Sequence, residues 1–240
     1  MGILFALVSA IFYGTCDFAA GIASRRVSYR LVTVAVQAFG LLAAGIGVLL
    51  FSGTGPTEAV LIWGAASGVG SALGTTALYR GFAVGRMSVV APLSAVLAAV
   101  LPVALGVSFG DHLSTPALVG IFLAIPAIGL VSLQQDSGES SAGRAGFLEG
   151  IVAGIGFALL FVALDRAGTS AGAWPLIPGQ TVSLLLVLPF VRGVSVSSSG
   201  WRSAAAPMVV AGLLSGAANL AFLAATGHGA LAIVAVLASL

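Results

Sequence analysis

The sequence predicts an all-α integral membrane protein, a polytopic helical bundle of two inverted five-helix repeats, on three observations. Charge is scarce: 59% of the 240 residues are hydrophobic and 7% charged, whereas a soluble domain carries about 25% charged residues. So few charges cannot coat a water-facing surface, and such a fold aggregates unless lipid is its solvent. The apolar residues come in runs of about 20, the helical length that crosses a hydrocarbon core of about 30 Å. The two halves of the chain also match one another in order.

Charges and Gly/Ser/Pro clusters cut the chain into spans near Ile3 to Ala23, Leu31 to Phe51, Ala59 to Tyr79, Met87 to Phe109, Pro116 to Leu133, Phe147 to Leu164, Trp174 to Val191 and Ala204 to Ala225. The first run is longer than a signal-peptide core and has no basic residue before it, so it is expected to stay as a span. A ninth run begins at Ala230 and reaches only Leu240. It is too short to cross, and the sequence therefore predicts a second half whose last one to two helices are missing. The polar stretch from Gln134 to Arg144 separates five spans from the rest. This divides the chain into a first repeat over 1–135, a linker over 136–145 and a truncated second repeat over 146–240.

The repeat rests on three segments. A shift of 142 carries Gly70, Gly74, Leu78, Ala83 and Gly85 onto Gly212, Gly216, Leu220, Ala225 and Gly227. A shift of 143 carries Gln37 onto Gln180, and a shift of 144 carries Gly2, Leu4, Val8, Ile11 and Ala19 onto Gly146, Leu148, Val152, Ile155 and Ala163. Ala/Gly/Leu-rich sequence matches by chance, but an intramembrane glutamine pair is rare. With five spans per unit the second copy enters the membrane from the opposite side, an arrangement that puts substrate near the midplane between the copies.

Polar residues inside the spans are the candidates for chemistry. Asp17 is the carboxylate deepest in an apolar run, where an ionised group costs at least about 2.5 kcal/mol on insertion scales. It must face protein or water, either to couple protons or hold a substrate ammonium, or to pair with Arg25 or Arg26. Gln37 and Gln180 can bond a substrate or a neighbouring helix. Tyr79 and Asn219 flank the repeat-matched third and eighth spans. Tyr79 and Arg80 close their span at the membrane edge, the usual place of an interface anchor. Small-residue pairs four apart, Gly64 with Gly68, Gly70 with Gly74, Gly150 with Gly154 and Gly212 with Gly216, suit close helix crossings. Pro92 and Pro102 fall inside the fourth span and are expected to kink it, as are Pro126, Pro178 and Pro189 in theirs.

Other chemistries find little footing. All nine basic residues are arginine and scatter between apolar runs, so no nucleic-acid footprint forms. Cys16 stands alone, and His112 and His228 have no second ligand at helical spacing, so neither metal nor cofactor is implied. Gly68 to Thr76 lacks the lysine of a phosphate loop, and Ser108-Phe109-Gly110-Asp111 departs from the aspartyl motif of intramembrane proteases.

Phe12-Tyr13-Gly14-Thr15-Cys16-Asp17-Phe18, Gly85-Arg86-Met87-Ser88-Val89-Val90-Ala91-Pro92-Leu93, and Phe109-Gly110-Asp111-His112-Leu113-Ser114 followed by Gly120 and Gly129 together resemble the repeat of EamA-domain transporters of the drug/metabolite transporter superfamily. The resemblance implies ten helices in two inverted five-helix repeats, and outward movement of amino acids, metabolites or toxic compounds by alternating access across a bacterial inner-membrane-type bilayer. Asp111 stands where the family usually carries Glu. The partners implied are the lipid bilayer, a small-molecule substrate and protons, with a homodimer left open. A passive facilitator, a scaffold and an intramembrane enzyme are the alternatives. Charge and resemblance disagree on orientation: Arg25, Arg26, Arg30, Arg80, Arg86, Arg144, Arg192 and Arg202 fall on the side opposite the N-terminus and Arg166 alone on its own side. By the positive-inside rule the N-terminus is then outside the cytoplasm, whereas the resemblance implies both ends inside.

Overall fold

The computed structural model describes residues 1–51, 53–85, 87–108, 115, 119, 123, 141–194 and 198–239. The predicted fifth span, apart from Val119 and Leu123, and also Asp111 and His112 lie outside the described residues. The helices are α1 (Gly2–Ser24), α2 (Tyr29–Leu50), α3 (Glu58–Val84), α4 (Met87–Ser108), α5 (Ser141–Ala167), α6 (Leu176–Val187), which ends in a 3₁₀ turn over Leu188–Val191, α7 (Ser198–Thr226) and α8 (Leu231–Ala238). Among the described residues six helices are long and apolar enough to cross a membrane, and Leu176–Val191 forms a shorter apolar helix. The fold is thus all-helical and of multi-pass type.

Each element has a local cause. α3 starts where Thr57 Oγ1 accepts from the Val60 amide at 3.3 Å, with Glu58 in the first turn beside the positive end of the helix dipole. Pro178 lies in the first turn of α6, where amides have no intrahelical partner, and Pro189 sits in the 3₁₀ turn that ends α6. Neither kinks the interior of a span as expected from the sequence. α4 stays helical through both Pro92 and Pro102. Between α5 and α6 the backbone turns through Gly168 at φ +77°, a conformation open to glycine.

Loop contacts define two ends of the bundle. At one end Gly2 lies beside His228, Gly227 beside Thr169, and the Thr54 amide donates to Ser170 O at 3.0 Å. At the other Arg26 Nη1 donates to Ser203 O at 2.6 Å, Gly85 lies beside Gly146, and Gly21 lies beside Met87. α1 therefore runs from the first end to the second and α5 runs back. The inside of the bundle carries buried Ser, Thr, Gln and Asn, while Ile3, Leu7, Ile11 and Phe18 on α1, Leu42, Ile46 and Leu49 on α2, and Leu148, Val152, Ile155 and Leu159 on α5 point outward. Outward apolar stripes around a partly polar interior suit lipid as the surrounding medium.

The helix pairings come in twos. α1 packs on α7 as α5 packs on α3; α2 packs on α7 as α6 packs on α3; α1 meets α8 as α5 meets α4; and α2 meets α6. Glycines make the crossings. Gly64 and Gly68 face Pro175, Pro178, Gly179 and Val182 of the α6 region, and Gly70 and Gly74 face Gly156, Leu160 and Phe157 of α5. Gly150 and Gly154 face Leu93 and Leu97 of α4, and Gly212 and Gly216 face Val36, Phe39, Gly40 and Ala43 of α2. Gly68 against Gly179 and Val182 is the exchanged image of Gly212 against Val36 and Phe39. That image carries α2 onto α6 at a shift of 143 and α3 onto α7 at 144, not the 142 suggested by glycine identity. Gly70 and Gly212 meet different helices, so their identity does not mark equivalent positions.

Candidate functional site

Two apolar clusters fill the bundle. One, near the Arg26 end, gathers Cys16, Ala20, Val36, Leu78, Tyr79, Phe82, Val90 and Met208; the other, toward Met1, gathers Ala6, Ala44, Phe161, Leu164, Leu176, Phe222 and Val234. Buried polar side chains lie along the helices between them, and every one must find a partner inside the protein or carry a desolvation cost.

Around Gln37 and Asn219 the partners are found, whereas Ser24 Oγ, nearer the Arg26 end, has none among the described residues. Gln37 of α2, 1% exposed, donates through Nε2 to Ser71 Oγ at 3.1 Å and Thr75 Oγ1 at 2.9 Å, one turn apart on α3. Thr75 donates onward to Ser71 O at 2.7 Å, and Ser67 Oγ donates to Gly64 O at 2.6 Å. Across to α7, the Tyr13 hydroxyl donates to Asn219 Oδ1 at 2.7 Å, Asn219 Nδ2 donates to Ser215 O at 3.0 Å, and Ser9 Oγ donates to Ala218 O at 3.0 Å.

In the second half two buried side-chain oxygens lack partners among the described residues. Gln180 of α6 is 4% exposed, and its Oε1 is buried with no hydrogen bond among the described residues. Its amide rests against Gly40, where an added Cβ would lie 3.0 Å from Nε2. Ser183, one turn on, has a buried Oγ that is likewise unpartnered. Beside Gln180 lies a cavity lined by Ser67, Ser71, Leu160, Leu176, Gly179 and Asn219. It measures about 10 Å³, room for about one water molecule, so a metabolite requires the helices around it to part.

The five residues singled out from sequence separate accordingly. Gln180 and Asn219 line the cavity, and Gln37 reaches it through Ser71. Gln180 sits in the second turn of α6, near the start of that helix. Tyr79 is completely buried beside Cys16, 3.7 Å from hydroxyl to Sγ, because α3 continues to Val84 and carries the ring inward. That burial replaces the interface-anchor reading. Asp17 is half-buried on α1, one turn from Tyr13, and does not line the cavity. Among the described residues no ion pair joins Asp17 to Arg25 or Arg26. Arg80 Nη1 pairs instead with Glu149 Oε1 at 3.0 Å, joining α3 to α5. His228 is an exposed turn residue, its ring 5.8 Å from that of Phe5.

Sequence reasoning passed over Ser67, Ser71, Thr75, Tyr13 and Ser215. One signal was available: Ser67, Ser71 and Thr75 recur every four residues and so share a helix face.

Fold and site together define a class, a multi-pass helical bundle with an apolar exterior and a neutral, hydrogen-bonding interior fed by both halves of the chain. No protein-family model and no curated protein matches the sequence.

Proposed function

We propose that the protein is a secondary transporter that moves a small metabolite, amino acid or drug-like compound by alternating access, as its resemblance to EamA-domain exporters implies.

 

Export, the direction that this resemblance implies, is part of the proposal, as is a framework of two inverted copies. The observation that carries the reading is the buried neutral polar layer, supplied by α3, α6 and α7 around a cavity and set between two apolar clusters. Intramembrane polar groups are costly and are kept where a polar solute passes or binds. The exchanged pairing of helices supports the two-copy framework, since bundles of this kind move one copy against the other around a site they share. Asp17 is the proposed proton-coupling group, because it is a half-buried carboxylate without an ion pair among the described residues, one turn from Tyr13 of the polar layer.

Accessibility tests the mechanism without knowledge of the substrate. With Cys16→Ser as background, Ser71→Cys is placed in reconstituted vesicles and labelled with a membrane-impermeant maleimide from each side. Alternating access requires labelling from both sides, and from one side only once Arg80→Cys and Glu149→Cys are crosslinked. Labelling from neither side would leave a sealed scaffold, and labelling from both sides despite the crosslink would leave an open pore; either result overturns the proposal. Once a substrate is in hand, Asp17→Asn should abolish proton-driven uptake, and unchanged uptake would remove Asp17 from the mechanism.

A further inference from the structure

We infer that the ligand of the cavity beside Gln180 is an uncharged molecule presenting a carboxamide-like edge, a hydrogen-bond donor and acceptor side by side. The inference rests on the transporter reading above and names the chemical class of its substrate.

Bonding capacity beside the cavity goes unused at Gln180. Gln37 and Gln180 occupy exchanged positions on α2 and α6, but only Gln37 is engaged, with both Nε2 bonds on α3. The other polar groups around the cavity are committed as well. Ser67 donates to Gly64 O, Ser71 Oγ accepts from Gln37, and Asn219 is held by Tyr13 and Ser215. Gln180 alone among the polar lining side chains has a buried atom, Oε1, with no hydrogen bond among the described residues, and the residue is 4% exposed. A buried amide without partners is a standing cost that a ligand relieves. The primary amide offers an acceptor and a donor in one plane, and its complement is another amide edge, as in a carboxamide, lactam or urea.

Charge decides against the other classes. The lining consists of Ser67, Ser71, Leu160, Leu176, Gly179, Gln180 and Asn219, none of them ionisable in the physiological range. A carboxylate or ammonium would enter without a counter-charge and lose its hydration uncompensated. Asp17 does not line the space, and Glu149 is paired with Arg80.

A matched series on one ring tests the class: nicotinamide, nicotinate and 3-(aminomethyl)pyridine, with 2-pyridone as a lactam. Binding to the purified full chain in detergent is read from its tryptophan-fluorescence melting curve. The carboxamide or the lactam should raise the midpoint in a saturable way, and the carboxylate and ammonium should not. Gln180→Leu should weaken that binding about tenfold or more. Gly40→Ala, which crowds the Gln180 amide without removing it, should weaken it too. Protection by the ammonium or carboxylate at equal concentration, protection by no member, or undiminished binding to Gln180→Leu would each overturn the inference. Detergent binding requires no translocation, so binding without vesicle uptake would sink the transport reading alone. Uptake of a charged compound with no amide binding would sink this inference alone.

Discussion

Replacing each glutamine of the related pair by leucine separates a structural amide from a free one. Gln37→Leu deletes two Nε2 bonds, at 3.1 and 2.9 Å, that tie α2 to α3, along with a longer contact from Ser71 Oγ to Oε1 at 3.5 Å. Side-chain hydrogen bonds inside membrane bundles average about 0.6 kcal/mol each, so the loss is about 1.2 kcal/mol, with a further cost for the Ser71 and Thr75 hydroxyls left without that donor. Gln180→Leu deletes no bond. It removes a buried unpaired amide and fills similar volume with an apolar side chain, so its expected effect runs from neutral to stabilising by about 1 kcal/mol. The assay is reversible unfolding in mixed micelles at increasing denaturing-detergent fraction, followed by tryptophan fluorescence from Trp63, Trp174 and Trp201. The ranking is the test: if Gln180→Leu costs as much as Gln37→Leu, the Gln180 amide has a partner and the reasoning about both residues fails.

Gly70→Ala would set a methyl 2.5 Å from the Leu160 amide nitrogen and 2.6 Å from Gly156 O, backbone that cannot step aside. It should destabilise by about 1–3 kcal/mol, whereas Gly45→Ala, with nothing within 4 Å, should be neutral or stabilising; equal melting shifts would refute the crossing geometry. Glu149→Gln breaks an ion pair whose arginine is 55% exposed, so the cost should be at most about 1 kcal/mol. It should shrink in 1 M salt, where the screening length is about 3 Å, and a salt-independent cost would mean that burial of Glu149, not pairing, sets it.

Most of the fold was legible because hydrocarbon length marks a span. The predicted first four spans, Ile3 to Ala23 through Met87 to Phe109, fall on α1 to α4 with small shifts at their ends. The larger errors have physical causes. Apolar composition reports lipid, not backbone hydrogen bonding, so α3 continues past the predicted end at Tyr79 through Arg80 to Val84. With that extension Tyr79 lies inside the helix rather than at its end, and its ring packs beside Cys16 and Phe82. Trp174 and Pro175 read as part of a span, but they form turns ahead of α6. Within the site, the glutamines stood out because such residues are rare in apolar runs. Ser71 and Thr75 did not, since hydroxyl residues occur throughout the chain, and which glutamine is engaged depends on helix rotation that periodicity leaves open.

Under the two-copy proposal, the Tyr13 hydroxyl is a difference between the halves that accounts for which glutamine is free. Exchange at 144 carries Tyr13 onto Phe157 and Thr75 onto Asn219, and the contacts agree: Phe157 lies against Gly74, while Tyr13 bonds Asn219, the residue after Ala218. Phe157 has no hydroxyl, so Thr75 remains available to Gln37. Tyr13 has one, and it occupies Asn219, the counterpart that Gln180 would otherwise use. Tyr13→Phe should therefore release Asn219 toward Gln180 across the cavity they both line. A double-mutant cycle reads this directly. Gln180→Leu, neutral beside Tyr13, should cost about 0.6 kcal/mol in the Tyr13→Phe background, the average for one new interhelical bond. The same Tyr13→Phe change should weaken carboxamide binding, because the ligand then competes with Asn219 for the Gln180 amide. If Gln180→Leu is equally silent in both backgrounds, the tyrosine hydroxyl does not decide the asymmetry, and the free amide has another cause.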